Sequence, residues 1–170
     1  STTVTTREPS VACTEFVEYY DATVSFADGT GGEVIVEHAS TSFVLEAGDS
    51  VDITLTANYN GTYTIQSIVD ATHFKITHVW SGNGGDVIGD LRFSTGWFQT
   101  LVTHGTGTYV DDEVVTVTGT TNYNGANPIR YLSPTTFALE VDYVADETPG
   151  AASCYGAHTL MNGTDNDWDV

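Results

Sequence analysis

Residues 51–61 read Val-Asp-Ile-Thr-Leu-Thr-Ala-Asn-Tyr-Asn-Gly, and residues 115–125 read Val-Thr-Val-Thr-Gly-Thr-Thr-Asn-Tyr-Asn-Gly. The two stretches start 64 positions apart, and seven of their eleven positions are identical. Ile65 then matches Ile129 at the same offset. Such self-similarity is the signature of an internal repeat, here a unit of about 35 residues present twice.

Apolar and polar residues alternate on both sides of the repeated turn, and a period of two indicates β-strands. The alternating apolar positions are Val51, Ile53 and Leu55 in the first copy, Val115 and Val117 in the second, Tyr63 with Ile65, Phe74 with Ile76, and Phe137, Leu139, Val141 and Tyr143. Asn60-Gly61 and Asn124-Gly125 tolerate positive φ, which a tight hairpin needs. We therefore expect these four residues to be structural turn residues.

The sequence predicts an all-β protein built of two tandem small antiparallel β-barrel or sandwich-like repeats. Its expected parts are an N-terminal arm and β-hairpin (1–40), a first β-repeat unit with a connecting aromatic hairpin (41–101), a second unit (102–144) and an extended C-terminal arm (145–170). A short helix is an alternative for residues 12–20. Pro128 and Pro134 favour edges or loops over central strands. One unit is too small to be stable alone, so each must pack on other parts or another chain.

The composition is strongly acidic, with 23 Asp and Glu against 4 Lys and Arg, for a formal charge of -19. Nucleic-acid phosphates and anionic membrane surfaces attract basic residues, so we expect no nucleic-acid partner and no membrane partner. No apolar run approaches the roughly 20 residues of a membrane span. Acidic residues placed on the polar faces of strands give a strongly hydrated surface, typical of halophilic proteins, and predict a saline or marine habitat.

Three short patterns carry a resemblance to known proteins. They are Gly-Asp-x-Val-x-Ile at residues 48–53, Tyr-Asn-Gly-x-Tyr-x-Ile at 59–65 and Thr-x-Phe-x-Ile at 72–76. Together they resemble a short all-β repeat of structural proteins from tailed bacterial and archaeal viruses. In barrel shape only, they are also similar to the first catalytic-cysteine half-domain of ubiquitin-activating enzymes. The second copy departs at residues 111–112 and 126–128, and the two copies cover about half the chain.

The resemblance implies a virion structural protein, such as a capsid decoration (cement) protein or a head fibre, with a tail component as an alternative. It implies the major capsid or tail protein and copies of the chain itself as partners, in a homo-oligomer on a lattice. The implied location is the virion. A carbohydrate- or cell-surface-binding β-module is the alternative from another class, in which Trp80, Trp97 and Trp168 line a sugar platform. Burial in a core or interface is the competing use of each Trp.

Candidate metal ligands are few. Asp165, Asp167 and Asp169 have the 1-3-5 spacing of a calcium loop, but the Gly at position six and the Glu at position twelve are missing. A solvated acidic tail is the alternative. His73 and His78 are five residues apart, which places them on opposite faces of an extended strand. We therefore expect no cofactor and no firm metal site.

Candidate catalytic residues are also absent from the sequence pattern, so we expect a protein that is not an enzyme. Asp111, Asp112 and Glu113 are adjacent in a turn, whereas glycosidase carboxylates face each other across a cleft. No Gly-x-Ser-x-Gly motif is present. Cys13 and Cys154 allow one disulfide, which would join the two terminal arms.

Overall fold

A computed structural model describes residues 3–7, 10–21, 23–82 and 89–161. Over these residues the chain is all β and mostly antiparallel, as the sequence predicted. Among the described residues, no helix has the length and apolar character that crossing a membrane requires.

The strands are, in chain order, β1 (Thr3–Arg7), β2 (Val11–Glu18), β3 (Tyr20–Asp21), β4 (Val24–Thr30), β5 (Glu33–His38), β6 (Ser50–Thr54), β7 (Gly61–Thr64), β8 (Ser67–Asp70), β9 (His73–Thr77), β10 (Asp90–Phe93), β11 (Thr100–His104), β12 (Val114–Thr118), β13 (Gly125–Ser133), β14 (Thr136–Leu139) and β15 (Ala152–Met161).

The described residues form two compact units, and each contains one copy of the repeat. Unit 1 draws on the described parts of 1–17, 101–140 and 144–170, and unit 2 on those of 18–100 and 141–143. The predicted N-terminal hairpin exists as β4 and β5, and it belongs to unit 2. The expected arms contain paired strands, since β1 and β15 pair antiparallel over five residues each.

Unit 1 is a closed six-stranded barrel. Its strands follow the order β2, β11, β14, β13, β12 and β15, and β15 pairs back onto β2. This closure sets Cys154 opposite Val11 and Ala152 opposite Cys13. Closure leaves these six strands with a hydrogen-bonded neighbour on both sides, which removes the exposed sheet edges of an open sheet.

Unit 2 consists of two four-stranded sheets, β3-β10-β6-β7 and β4-β5-β9-β8. The short strands β3 and β4 follow one another along the chain but belong to different sheets, and so do β7 and β8. If each of these two pairs is counted as one strand, the neighbour order in unit 2 is β3/β4, β5, β9, β8/β7, β6, β10. This order corresponds strand by strand to β2, β11, β14, β13, β12, β15 in unit 1. The duplication therefore covers a whole six-stranded unit and extends beyond the 35 residues that the sequence repeat marks.

The core follows the alternation predicted from the sequence. The side chains that are completely buried include Val51, Ile53, Phe74 and Ile76 in unit 2, and Val115, Val117, Phe137 and Leu139 in unit 1. Tyr59 and Tyr123, the tyrosines of the repeated Asn-Tyr-Asn-Gly, are buried to 0% and 1% exposure. The repeat thus specifies both the turn and the large aromatic residue that anchors it.

Three expectations about local structure were wrong, and one alternative is excluded. Residues 12–20 are not helical, because β2 pairs with β15. Leu55 lies outside β6, where it is 72% exposed with a φ of 61°. Residues 141–143 lie beyond the end of β14. Pro128 lies in β13, which has neighbours on both sides, but there it is the last residue paired with β12.

Candidate functional site

The repeated Asn residues close the loop between two paired strands through their side chains. In unit 2, Asn60 Oδ1 accepts hydrogen bonds from the amide and the hydroxyl of Thr56, at 2.8 and 2.9 Å. In unit 1, Asn124 Oδ1 accepts the same two bonds from Thr120, both at 2.9 Å. Each loop has six residues between the strands, so it is longer than a two-residue hairpin turn. The glycine that follows, Gly125, has a φ of 133°.

The buried tyrosine of each repeat stabilises a second loop through hydrogen bonds of its hydroxyl group. Tyr59 donates its hydroxyl proton to the carbonyl of Gly82 at 2.7 Å. Tyr123 donates to the carbonyl of Ala145 at 2.6 Å, and its oxygen accepts the amide of Val144. A buried phenol needs such a partner, so both copies use the tyrosine in the same way.

A carboxylate at the start of each repeat holds another turn. Asp49 accepts the amide of Glu46 at 2.7 Å, and Glu113 accepts the amide of Val110 at 3.0 Å. Both pairs are three residues apart and lie 64 positions from one another, which aligns residues 46–49 with 110–113. Asp111 accepts the amide of Tyr131 at 2.6 Å. The acidic stretch at 111–113 therefore stabilises local backbone structure.

Cys13 and Cys154 are joined in a disulfide. Their Cα atoms are 6.0 Å apart, within the range that a disulfide spans. They lie on β2 and β15, the two strands that close the barrel of unit 1, and both are buried. The bond therefore crosses the closure of the barrel.

Two buried histidines occupy corresponding positions in the two units. The amide of His38 donates to the carbonyl of Thr72, and the amide of His104 donates to that of Thr135, at 2.8 and 2.9 Å. The ring of His104 stacks on Phe137. Burial lowers the pKa of both imidazoles below the ordinary value.

Asp21 lies close to the imidazole of His38. Its Oδ2 is 3.5 Å from His38 Nδ1, which is an ion-pair distance and longer than a hydrogen bond. The same carboxylate accepts the amides of Thr23 and Ser40, at 3.0 and 2.9 Å. Nδ1 of His38 is buried without a hydrogen-bond partner among the described residues.

His38 also lines a pocket of about 200 Å³ in unit 2. The side chains that form its apolar wall belong to the loop after β5 and to β8 and β9, and they are Phe43, Val44, Leu45, Ile68 and Phe74. Val44 and Ile68 are 37% and 42% exposed at its opening. We call this site the unit 2 pocket.

The two repeats differ at one position of the unit 2 pocket wall. The alignment of 46–49 with 110–113 places Leu45 where unit 1 has Tyr109. The ring of Tyr109 packs at centroid distances of 4.8 Å from His104 and 5.2 Å from Phe137, and its hydroxyl donates to the carbonyl of Cys154. Leucine is smaller and has no hydroxyl, and in unit 2 the ring that packs edge-on against the buried His38 is that of Phe43, at a centroid distance of 5.8 Å.

The acidic rim of the unit 2 pocket consists of Asp70, which lines the pocket, and Glu37, which lies next to the lining residue His73. Asp70 Oδ1 is 2.7 Å from His73 Nδ1, and Glu37 Oε2 is 3.7 Å from His73 Nε2. Hydrogen bonds from the amide of Thr72 and from the His73 ring lower the pKa of Asp70 to about 2. Asp70 therefore stays ionised at any pH near neutrality.

The structure describes only some of the other candidates from the sequence. Asp165, Asp167 and Asp169 lie outside the described residues, as does Trp168. Within the described parts of the chain, no group of three or more His, Cys, Asp or Glu side chains is arranged to hold a metal ion. His158 lies on β15, and the ring of His78 packs against Tyr59 and Tyr63 in unit 2.

Two tryptophans of the proposed sugar platform lie in unit 2 and are half-buried. Trp80 stacks on Tyr59 with a centroid distance of 6.0 Å, whereas the amide of Trp97 donates to the carbonyl of Ser94 at 3.1 Å and closes a turn between β10 and β11. The unit 2 pocket itself was not predicted from the sequence. The sequence feature that could have indicated it is the difference between Leu45 and Tyr109. This difference can be seen only when the alignment of the two repeats is extended upstream of residue 48.

A comparison of the chain with protein-family models, with curated proteins and with solved structures finds no match.

Proposed function

We propose that this chain is a non-enzymatic structural protein of a virion, namely a capsid decoration or head-fibre protein that stabilises or decorates the particle. The proposal rests on the resemblance of the repeat to structural proteins of tailed viruses and on how the chain uses its acidic side chains. The alternative within this proposal is that the protein is a component of the viral tail.

The observation that supports the structural role is that many carboxylates stabilise turns and loops. Their oxygens accept hydrogen bonds from backbone amides. Such acceptors are Asp28, Asp49, Asp70, Asp111, Glu113, Asp142 and Glu147, in addition to Asp21. Glu147 alone accepts the amides of Thr121 and Asn122 at 2.9 and 2.7 Å. Charge-assisted bonds of this kind rigidify loops, which suits a protein whose task is to hold a shape.

The test is association with particles of the virus whose genome carries the gene. We expect purified protein to co-sediment with particles stripped of minor proteins and to saturate at a fixed ratio to the major capsid protein. We also expect the neighbouring genes to encode capsid, portal or tail proteins. Protein that remains monomeric and stays in the supernatant at every concentration contradicts the proposal.

A carbohydrate-binding module is the second candidate, favoured by the stack of half-buried Trp80 on Tyr59. A glycan array with the natural protein and with Trp80→Ala tests it, and Trp97→Ala is the matched control. Binding that only Trp80→Ala abolishes would favour this second function over the virion role. An array without signal, for a protein that does co-sediment with particles, favours the virion role.

A further inference from the structure

The unit 2 pocket has the size and lining of a site for one apolar side chain. Phe43 and Phe74 contribute aromatic rings to its wall, and Ile68 contributes an aliphatic side chain at its opening. An apolar cavity of about 150 Å³ is large enough to hold benzene. The pocket, at about 200 Å³, therefore has room for a phenyl ring or a branched aliphatic side chain.

The charges around the opening favour a cationic neighbour of that side chain. Asp70 and Glu37 are 56% and 54% exposed on either side of His73. The lowered pKa of Asp70 keeps that carboxylate charged, while the lowered pKa of the buried His38 keeps that ring neutral near pH 7. An acidic rim around an apolar floor attracts lysine or arginine on both sides of an apolar anchor.

This chain is poorly equipped to supply such a segment from a second copy. Lys75 pairs with Glu33 at 2.9 Å, and Arg92 pairs with Glu18 at 3.0 Å. Arg130 is only 6% exposed. Three of the four basic residues in the sequence are therefore engaged or buried, and the net charge of -19 opposes close approach of a second copy.

We infer that the unit 2 pocket binds an aromatic or branched aliphatic side chain carried on a basic segment of a different protein. The inference goes beyond the proposed function, which names no binding site, and it holds whether or not the partner is a capsid protein. The acidic rim attracts the segment, and the apolar floor provides the contact that selects its anchor residue.

The probe is the capped peptide acetyl-Lys-Phe-Lys-amide, titrated into ¹⁵N-labelled full-length protein at low salt. We expect saturable shifts of amide signals from residues 38–45 and 68–74, with weaker binding as salt screens the rim. Acetyl-Lys-Ser-Lys-amide has the same charge but no phenyl group to bury, so it should bind about tenfold more weakly or worse. Equal binding of the two peptides, or no saturable shift at these residues, overturns the inference.

Two adjacent residues of β8 supply a matched pair of variants. Ile68 lines the unit 2 pocket and Val69 does not, although both are exposed, at 42% and 51%. Ile68→Asp and Val69→Asp add the same charge to the same strand, so they alter non-specific attraction equally. We expect about tenfold weaker peptide binding for Ile68→Asp only, as expected for loss of one buried apolar contact. Equal affinity in the two variants overturns the inference.

A third variant fills the unit 2 pocket with the residue that unit 1 uses. Leu45→Tyr adds to the pocket wall the larger residue that packs beside His104 in unit 1. We expect loss of peptide binding with no fall in the melting temperature. Retained binding in a folded Leu45→Tyr protein contradicts the inference. So does sedimentation that shows a dimer of the natural protein and a monomer of Ile68→Asp, since the occupant would then be a second copy.

Discussion

The side-chain oxygen of Asn124 accepts two hydrogen bonds from Thr120, one from its amide and one from its hydroxyl, both at 2.9 Å. The side-chain nitrogen of Asn124 donates back to the carbonyl of the same threonine at 2.7 Å. Asn60 and Thr56 repeat the first two bonds 64 residues earlier. One asparagine in each unit thus closes a six-residue loop between neighbouring strands.

Asn124→Ala should lower the free energy of unfolding of the chain by about 1–2 kcal/mol, because each lost hydrogen bond contributes about 0.5–1.5 kcal/mol net. The loop residues that Asn124 bonds are exposed, which keeps the loss modest. Urea unfolding followed by circular dichroism measures it. Asn124→Asp is the control, since it retains the accepting oxygen and should lose less. Equal losses for Ala and Asp would contradict this role of the side-chain oxygen.

Removing the disulfide should destabilise unit 1. The bond joins cysteines 141 positions apart, and constraint of a long loop in the unfolded chain contributes about 2–4 kcal/mol. We expect the double variant C13A/C154A to unfold at lower denaturant than the natural protein. Dithiothreitol added to the unfolded natural protein before refolding should reproduce that shift and leave the double variant unchanged. Natural protein that refolds equally well with and without reductant contradicts the prediction.

Stability should fall as the pH drops through the histidine range. Burial lowers the pKa of His38 and His104 below the ordinary value of 6.5. The unfolded chain therefore binds more protons than the folded one below about pH 6.5, so acid favours unfolding. Asp21, at 3.5 Å from His38, opposes this effect, whereas no carboxylate contributes to the shift at His104. His104 is therefore expected to contribute the larger share.

Urea unfolding at pH 7.5 and 5.5 checks this prediction. We expect His104→Gln to reduce the loss of stability between these two values more than His38→Gln does. The carboxyl of Glu140 has a pKa raised by burial, which stabilises the folded state as pH falls toward its pKa and so acts in the opposite direction. An unchanged pH slope in the double His→Gln variant would show that other groups dominate.

Low ionic strength should destabilise the whole chain. The formal charge of -19 produces self-repulsion whose range shrinks from about 30 Å at 0.01 M salt to about 3 Å at 1 M. We expect the melting temperature to rise with NaCl, with most of the gain at the lower concentrations where the screening length changes fastest. A melting temperature that is the same with and without salt contradicts the expected saline habitat. A gain that grows linearly up to 1 M indicates salt exclusion rather than screening.

The local patterns predicted the fold well because they depend on neighbouring residues. The alternation of Val51 and Ile53 with polar residues identified a half-buried strand, and the repeated Asn-Tyr-Asn-Gly identified the loop after it. The prediction failed where the chain leaves a strand earlier than the alternation indicates. Leu55 continued the alternation, yet its backbone leaves the strand at the start of the loop that Asn60 closes.

The candidate site depended even more on contacts that are distant in sequence. Leu45 lines the unit 2 pocket at the position where unit 1 has Tyr109, whose ring packs against a histidine and a phenylalanine from two other strands. The loop that contains Leu45 differs from its counterpart in length and sequence, so the repeat is not recognisable there. Hydrogen bonds of Asp49 and Glu113 to the preceding turn reveal the correspondence.

Composition and periodicity alone established an acidic, all-β chain with a duplicated unit, since charge and the two-residue period of a strand can be counted along the chain. Which strands pair with one another could not be derived from the order of residues along the chain. The closure of β15 onto β2, the proximity of Cys13 to Cys154 and the open pocket beside His38 each join segments separated by many residues. Their geometry comes from the shared burial of side chains in one core, which only folding brings together.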